Sequence, residues 1–206
     1  MIKNKVSSNG VIILAGGYSS RMNYPKPYLI YSGKTFLETI AETYIEAGIR
    51  NIVVVMNNDF CNKKWHDFLK PIKSYATIIE NKHPEKGRLY SLKLSANEMK
   101  DIDFCFILNV DNPFFTEKTI TRLWMNRNEK GYTTPIFKGK GGHPALVSNT
   151  IIKHILSSDT DEMTLKEVLK GFDKRTVEME DEKILININT MEDYEKYIQN
   201  KYEAVS

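Results

Sequence analysis

The sequence predicts a three-layer α/β/α fold around a mostly parallel sheet, on three observations. Short β-branched runs alternate with amphipathic helical patterns from residue 11 to about residue 125, as in a sheet whose strands are joined by crossover helices. The run Phe104–Val110 is apolar almost throughout, the composition of a strand covered on both faces. The chain has 206 residues, 41% hydrophobic and 27% charged, which is enough to bury one core of useful size.

The elements follow in order. Val11–Ala15 reads as the first buried strand. Thr35 and Glu38 have the spacing of a capping box, and the helix they open stacks Leu37, Ile40, Ala41, Tyr44 and Ile45 on one face until Gly48 stops it. Ile52–Met56 is a second strand, Asp59–Leu69 a helix ended by Pro71, and Ala76–Glu80 a third strand. Leu89, Leu92, Ala96 and Met99 mark another amphipathic helix, and Phe104–Val110 is the central strand. Thr116 is expected to cap a helix carrying Ile120, Leu123 and Trp124. The pattern then loosens: strands at Tyr132–Phe137 and Pro144–Val147 flank the glycines of 139–142, with short helices at Ile151–Leu156 and Leu165–Leu169. Lys183–Ile188 reads as a late strand, and Thr190 with Asp193 caps a terminal helix. One domain over residues 1–206 is expected: a flexible N-terminal stretch (1–10), a regular half (11–125) and a looser half (126–206) on the same sheet.

Composition narrows the function. Lys plus Arg is 29 against 26 for Asp plus Glu, a net charge of +3. That is too mild to argue for nucleic acid or an acidic membrane as partner, although a few cations gathered in a cleft suit a phosphate-rich small molecule. The two cysteines, Cys61 and Cys105, have neither the spacing of a zinc site nor the number of a disulfide scaffold. Residues 1–10 lack the apolar segment of a signal peptide, and no apolar run approaches the ~18 residues of a membrane span, so a cytoplasmic protein is expected.

The most informative segment is Leu14-Ala15-Gly16-Gly17-Tyr18-Ser19-Ser20-Arg21-Met22-Asn23-Tyr24-Pro25-Lys26, directly after the first strand. Ligands of open α/β sheets bind beyond the carboxyl ends of strands. Paired glycines let backbone N–H groups approach phosphate oxygens, Ser19 and Ser20 add donors, Arg21 offers a planar fork and Lys26 a compact cation. A Walker loop is absent, and so is a dinucleotide fingerprint, since the next glycine after Gly17 is Gly33. Asp111 ends the strongest strand, where a carboxylate facing the cleft can bind Mg²⁺ together with substrate phosphates; a turn aspartate before Pro113 is the plainer reading.

The run L-A-G-G-x-S-S-R-M-x-x-x-K closely resembles the signature of the molybdenum-cofactor nucleotidyltransferases and of the wider NTP-transferase superfamily, with Asn23 where the family usually has glycine. The resemblance implies a Rossmann-like sheet of the nucleotide-diphospho-sugar transferase type, with 11–125 as nucleotide-binding half and 126–206 as acceptor-binding half. It implies nucleotide contacts from Leu14, Ala15, Gly16, Gly17, Ser19, Ser20, Arg21 and Lys26, with Arg21, Lys26 and Asp111 as catalytic residues. Gly87 and Ser91 are similar to the family's G-x-x-x-S element at the base and ribose. Mg²⁺ would be held by Asp111, and Asn189, in Asn187-Ile188-Asn189-Thr190, would be the second ligand or its neighbour. Gly142, His143 and Pro144 resemble the turn beside the acceptor, where His143 serves contact or structure rather than as a base, because a phosphate acceptor needs none.

The implied reaction moves a nucleoside monophosphate from CTP or GTP to a phosphorylated small molecule, with a lean toward cytidylyl transfer onto molybdopterin. Guanylyl transfer and sugar-phosphate or phosphocholine nucleotidyl transfer are the runners-up. A non-catalytic carrier that delivers a cofactor to an apoenzyme client is the reading from another class. A monomer or weak homo-oligomer is expected.

Overall fold

The structure, a computed structural model, describes residues 8–158 and 164–203, with side chains as far as Ile198. Its elements are β1 (Asn9–Ala15), β2 (Ile30–Tyr31), β3 (Lys34–Thr35), α1 (Phe36–Glu46), β4 (Asn51–Asn57), α2 (His66–Ile72), β5 (Thr77–Asn81), α3 (Gly87–Ala96) and β6 (Phe104–Asn109). They continue with α4 (Glu117–Met125), β7 (Tyr132–Phe137), β8 (Lys140–Gly141), β9 (Ala145–Ser148), α5 (Asn149–Ser157), α6 (Leu165–Leu169), β10 (Lys174–Glu178) and α7 (Met191–Glu203). The main sheet runs β10-β7-β9-β6-β1-β4-β5, with β8 hooked onto β7 and β2–β3 forming a separate pair.

β5, β4, β1 and β6 pair in parallel, β9 runs antiparallel to both β6 and β7, and β10 is parallel to β7. Along this path only β9 reverses, so the expectation of a mostly parallel sheet holds for a mixed one. Side chains alternate across a strand. Val11, Ile13 and Ala15 therefore join α1, α2 and α4 in one apolar layer, and Ile12 and Leu14 join α3, α5 and α6 in the other. Both faces are covered, as the apolar run of β6 requires. The capping box at Thr35 and Glu38 is present in full: the Glu38 backbone N–H donates to the Thr35 hydroxyl, and the Glu38 carboxylate accepts from the Thr35 backbone.

Five sequence expectations change. β1 begins at Asn9, so Asn9 and Gly10 are buried sheet residues rather than part of a flexible stretch, and residues 1–7 lie outside the described ones. The expected helix from Asp59 resolves into two 3₁₀ turns followed by α2, with Pro71 inside α2. The carbonyl that Pro71 leaves without a helical donor belongs to exposed Asp67, so the proline is tolerated near the helix end. Thr116 precedes α4 in an extended conformation, but its side chain makes no capping bond.

The late strand is not Lys183–Ile188 but β10, Lys174–Glu178. β10 is an edge strand that buries only Val177, so its polarity concealed it. Ile184 and Ile188 are apolar because they anchor a 3₁₀ turn (Glu182–Leu185) and the coil after it across the sheet end. The backbone there binds irregular partners: the Ile184 carbonyl accepts from His143 N–H and Asn112 Nδ2, and Ile188 N–H donates to the Asp111 carbonyl.

The chain leaves β1 to reach β4 on one side, while β6 leads away to β9 and β7 on the other. This reversal of strand order opens a crevice beyond the carboxyl ends of β1 and β6. No helix among the described residues is long and apolar enough to cross a membrane.

Candidate active site

β1 carries the segment Leu14–Arg21 to the rim of that crevice. Gly16 is buried where the loop crosses α3, and an added Cβ would lie 3.0 Å from Ser91 Oγ and 3.3 Å from Asn81 Nδ2, so only glycine fits without displacing them. The loop then turns twice through left-handed backbone, at Ser19 (φ 52°) and Asn23 (φ 50°). Asparagine tolerates that region better than most residues, which explains how the chain closes the turn with a side chain at position 23. Ser19 knots the loop: its carbonyl accepts from Met22 N–H (2.9 Å) and its hydroxyl accepts from Lys26 N–H (3.1 Å). Buried Met22 and an aromatic stack of Tyr28 on Trp65 (5.1 Å) and Phe68 (5.2 Å) fasten the far side of the loop to α2.

This anchoring turns Lys26 inward. Its Nζ donates to Asn189 Oδ1 at 3.0 Å and stands 4.0 Å from Asp111 Oδ2. Burial lowers the Lys26 pKa below the ordinary lysine value; Asp111 opposes that shift, while Arg21 and Arg88 add to it. Arg21 Nη2 also donates to Asn189 Oδ1, at 3.4 Å. Asn189 is itself held from behind, because the Asp193 carboxylate accepts its backbone N–H and that of Thr190, both at 2.9 Å. Those N–H donors, led by Asn189, keep the Asp193 pKa below the usual carboxylate value.

Asp111 is 7% exposed, and its Oδ1 is buried with no hydrogen-bond partner among the described residues. An orphaned carboxylate oxygen at the floor of a crevice fits a cation. Among the described residues no group of three or more His, Cys, Asp or Glu side chains could hold a metal. Mg²⁺ takes oxygen ligands, commonly one or two carboxylates completed by phosphates and water, so this sparse donor set fits an ion that arrives with its substrate. Asn189 could contribute only an amide oxygen that already accepts from Lys26 and Arg21.

Two chambers meet here. The first, about 290 Å³, is lined by Leu14 through Arg21, Lys26, Gly87, Ser91, Asp111 and Asn189. It therefore gathers every residue expected at the nucleotide and the metal. Ser91 is 5% exposed, its hydroxyl donating to the Gly87 carbonyl and accepting from Asn81 Nδ2 at 3.0 Å, so it braces the start of α3 against the loop. The second chamber, about 480 Å³, lies between α3, α6 and β9 and includes Gly142 and His143. Pro144, expected at the acceptor, is buried and lines neither chamber, because β9 begins directly after it. His143 has its pKa lowered by burial first, with Asp111 opposing and Arg88 reinforcing. Sequence reasoning passed over Arg88, which lines both chambers, although it stands inside the Gly87–Ser91 element. It also passed over Asn81, whose role appears only when β5 is placed beside β4.

A glycine-containing loop after β1 and an acidic end of β6 flank one crevice where strand order reverses, the place where open α/β sheets bind ligands. The chain belongs to the MobA-like NTP transferase domain family, which matches residues 11–179. It is 29% identical over 189 residues to the molybdenum cofactor cytidylyltransferase of Escherichia coli, covering 92% of this chain and 95% of that protein. It is 26% identical over 203 residues to a probable molybdenum cofactor guanylyltransferase of Clostridium perfringens, covering 92% and 96%. Its fold is similar to that of a Mycobacterium tuberculosis protein whose crystal structure is a complex with manganese, with a TM-score of 0.70 at 16% identity over 93% of this chain and 98% of that one.

Proposed function

We propose that this protein transfers a cytidylyl group from CTP to the terminal phosphate of a molybdopterin-type acceptor and releases pyrophosphate, using Mg²⁺. One observation carries the reading: Lys26 Nζ lies between Asp111 and Asn189 on the floor of the chamber whose rim is the Gly16–Arg21 loop. Arg21, Lys26, one carboxylate and a loop of backbone donors in one cleft suit a triphosphate. The similarity to the cytidylyltransferase supports the base preference, and guanylyl transfer is the runner-up on the weaker similarity to the guanylyltransferase.

In this mechanism the loop lies along the triphosphate and its N–H groups bind phosphate oxygens. Arg21 and Lys26 move from Asn189 to the phosphates and neutralise charge that grows on the departing pyrophosphate. Asp111 would hold Mg²⁺, with Asn189 beside it, and such an ion would supply charge stabilisation at the phosphate oxygens. An acceptor phosphate oxygen attacks the α-phosphorus. The new O–P bond forms as the bond to the bridging oxygen breaks, and pyrophosphate leaves with the electron pair. The protein's part is positioning and charge neutralisation. His143 contacts the acceptor and does not serve as a base.

The test is a thermal-shift series with the four NTPs and Mg²⁺, followed by pyrophosphate release with CTP or GTP and molybdopterin. CTP should raise the melting temperature most and support turnover. Nucleotide binding with no pyrophosphate release would instead favour the carrier reading, in which Asn189 keeps the two cations occupied.

A further inference from the structure

Arg88 stands in the first turn of α3, exposed, where the two chambers open into each other. Four residues line both: Leu14, Gly87, Arg88 and Asn109, of which Arg88 alone carries a charge. Its place is set by the backbone. Gly87 turns with φ +81°, a conformation that strains any other residue, and the Ser91 hydroxyl pins the Gly87 carbonyl. Arg21 and Lys26 both donate to Asn189, whereas Arg88 has no hydrogen bond or ion pair among the described residues.

The second chamber has a distinct chemistry. Leu92, Ile107 and Leu169 line it with apolar surface. Its charged lining residues are Arg88, Lys86, Lys166 and Lys174, with no acidic residue among the described lining. Such a space fits a ligand with an apolar body and negative charge at its ends.

We propose that Arg88 binds the attacking phosphate of the acceptor, holding it at the opening between the chambers while the acceptor's apolar body fills the second one. The proposal rests on the nucleotidyl-transfer reading. A guanidinium presents a planar fork that grips a phosphate through two parallel hydrogen bonds and so fixes direction as well as position. That suits a nucleophile that must approach the α-phosphorus in line. Arg88 remains charged throughout, takes no proton from the phosphate and leaves the attacking oxygen free.

The experiment compares wild type with Arg88→Met and Arg88→Lys. The probe is phenyl phosphate, a flat apolar ring bearing one phosphate monoester, titrated by calorimetry with and without a non-hydrolysable CTP analogue and Mg²⁺. Wild type should bind it. Arg88→Met should bind at least about tenfold more weakly, the loss expected when a charge-assisted hydrogen bond to phosphate disappears, and Arg88→Lys should fall between. Affinity for the CTP analogue should be nearly the same in all three. In turnover, Arg88→Met should raise the KM for the acceptor and leave the KM for CTP in place, a split that general loosening of α3 does not produce. Equal phenyl phosphate binding by wild type and Arg88→Met, no binding by wild type, or a loss confined to the CTP analogue each overturns the proposal. Failure of the nucleotidyl-transfer reading shows separately, as wild type that neither binds an NTP nor releases pyrophosphate.

Discussion

Lys26 illustrates how the chemistry of one residue depends on where its neighbours put it. In the sequence it is a lysine between two prolines. In the fold it is turned inward to Asn189 and Asp111, and burial makes its charge harder to keep. Two outcomes follow at this scale. Lys26→Ala and Asp111→Ala should each lower kcat by at least ~10²-fold, the scale for losing one electrostatic stabiliser, while circular dichroism stays native. Near-normal turnover in both variants would remove these residues from the reaction. The second outcome concerns pH. The charged ammonium is the useful form and its pKa is lowered, so activity should decline on the alkaline side at a pH below the ordinary lysine value of 10.5. A Lys26→Arg variant, if it retains measurable activity, should lack that early decline, because a guanidinium stays charged. A pH–rate profile from pH 7 to 10 compares the two.

At the scale of elements, the site depends on how segments are capped and fastened. Asp193 opens α7 by accepting two backbone N–H groups, and one of these belongs to Asn189. The Thr190 hydroxyl accepts from Asp193 N–H at 3.1 Å in return, so this carboxylate completes a capping box and also aims a site residue. Asp193→Ala should cost about 1 kcal/mol of stability, the usual price of a lost cap. It should also lower kcat by more than that stability loss explains, because Asn189 is no longer held in place beside Asp111. Urea melts set beside initial rates measure both, and an intact kcat would separate the cap from the site. Legibility follows the same line. The Thr35–Glu38 box and β6 were readable because their signals are local: spacing in one case, unbroken apolarity in the other. β10 was not, since an edge strand with one buried side chain has the composition of a loop. The segment at Lys183–Ile188 misled because its isoleucines are buried by tertiary contact and not by strand pairing.

Across the whole molecule, His143 reports the join between the two halves of the sheet. Its backbone N–H donates to Ile184, it lines the second chamber, and burial lowers the pKa of its ring. The sign of the resulting pH effect is fixed. The folded pKa lies below the ordinary histidine value of 6.5, so between the two the unfolded chain binds more protons and stability is lost as pH falls through that window. His143→Asn should therefore lose less stability than wild type between pH 7 and pH 5, as read from urea midpoints. Equal losses would show that the ring titrates as freely in the fold as in the unfolded chain.

The glycine loop, the cations that follow it and the aspartate after β6 were all visible in the sequence, because backbone freedom, charge and strand apolarity are properties of short stretches. The sequence by itself thus determined the fold class and the family. Tertiary structure decided which charged groups face one another. Lys26 and Asn189, separated by 163 positions, become hydrogen-bond partners only when the coil after β10 crosses the sheet end and α7 is capped beside it. Arg88 gains its place between two chambers in the same way, from α3 packed across β1. Long-range juxtaposition carries no local periodicity or spacing, so no window of residues could have announced it.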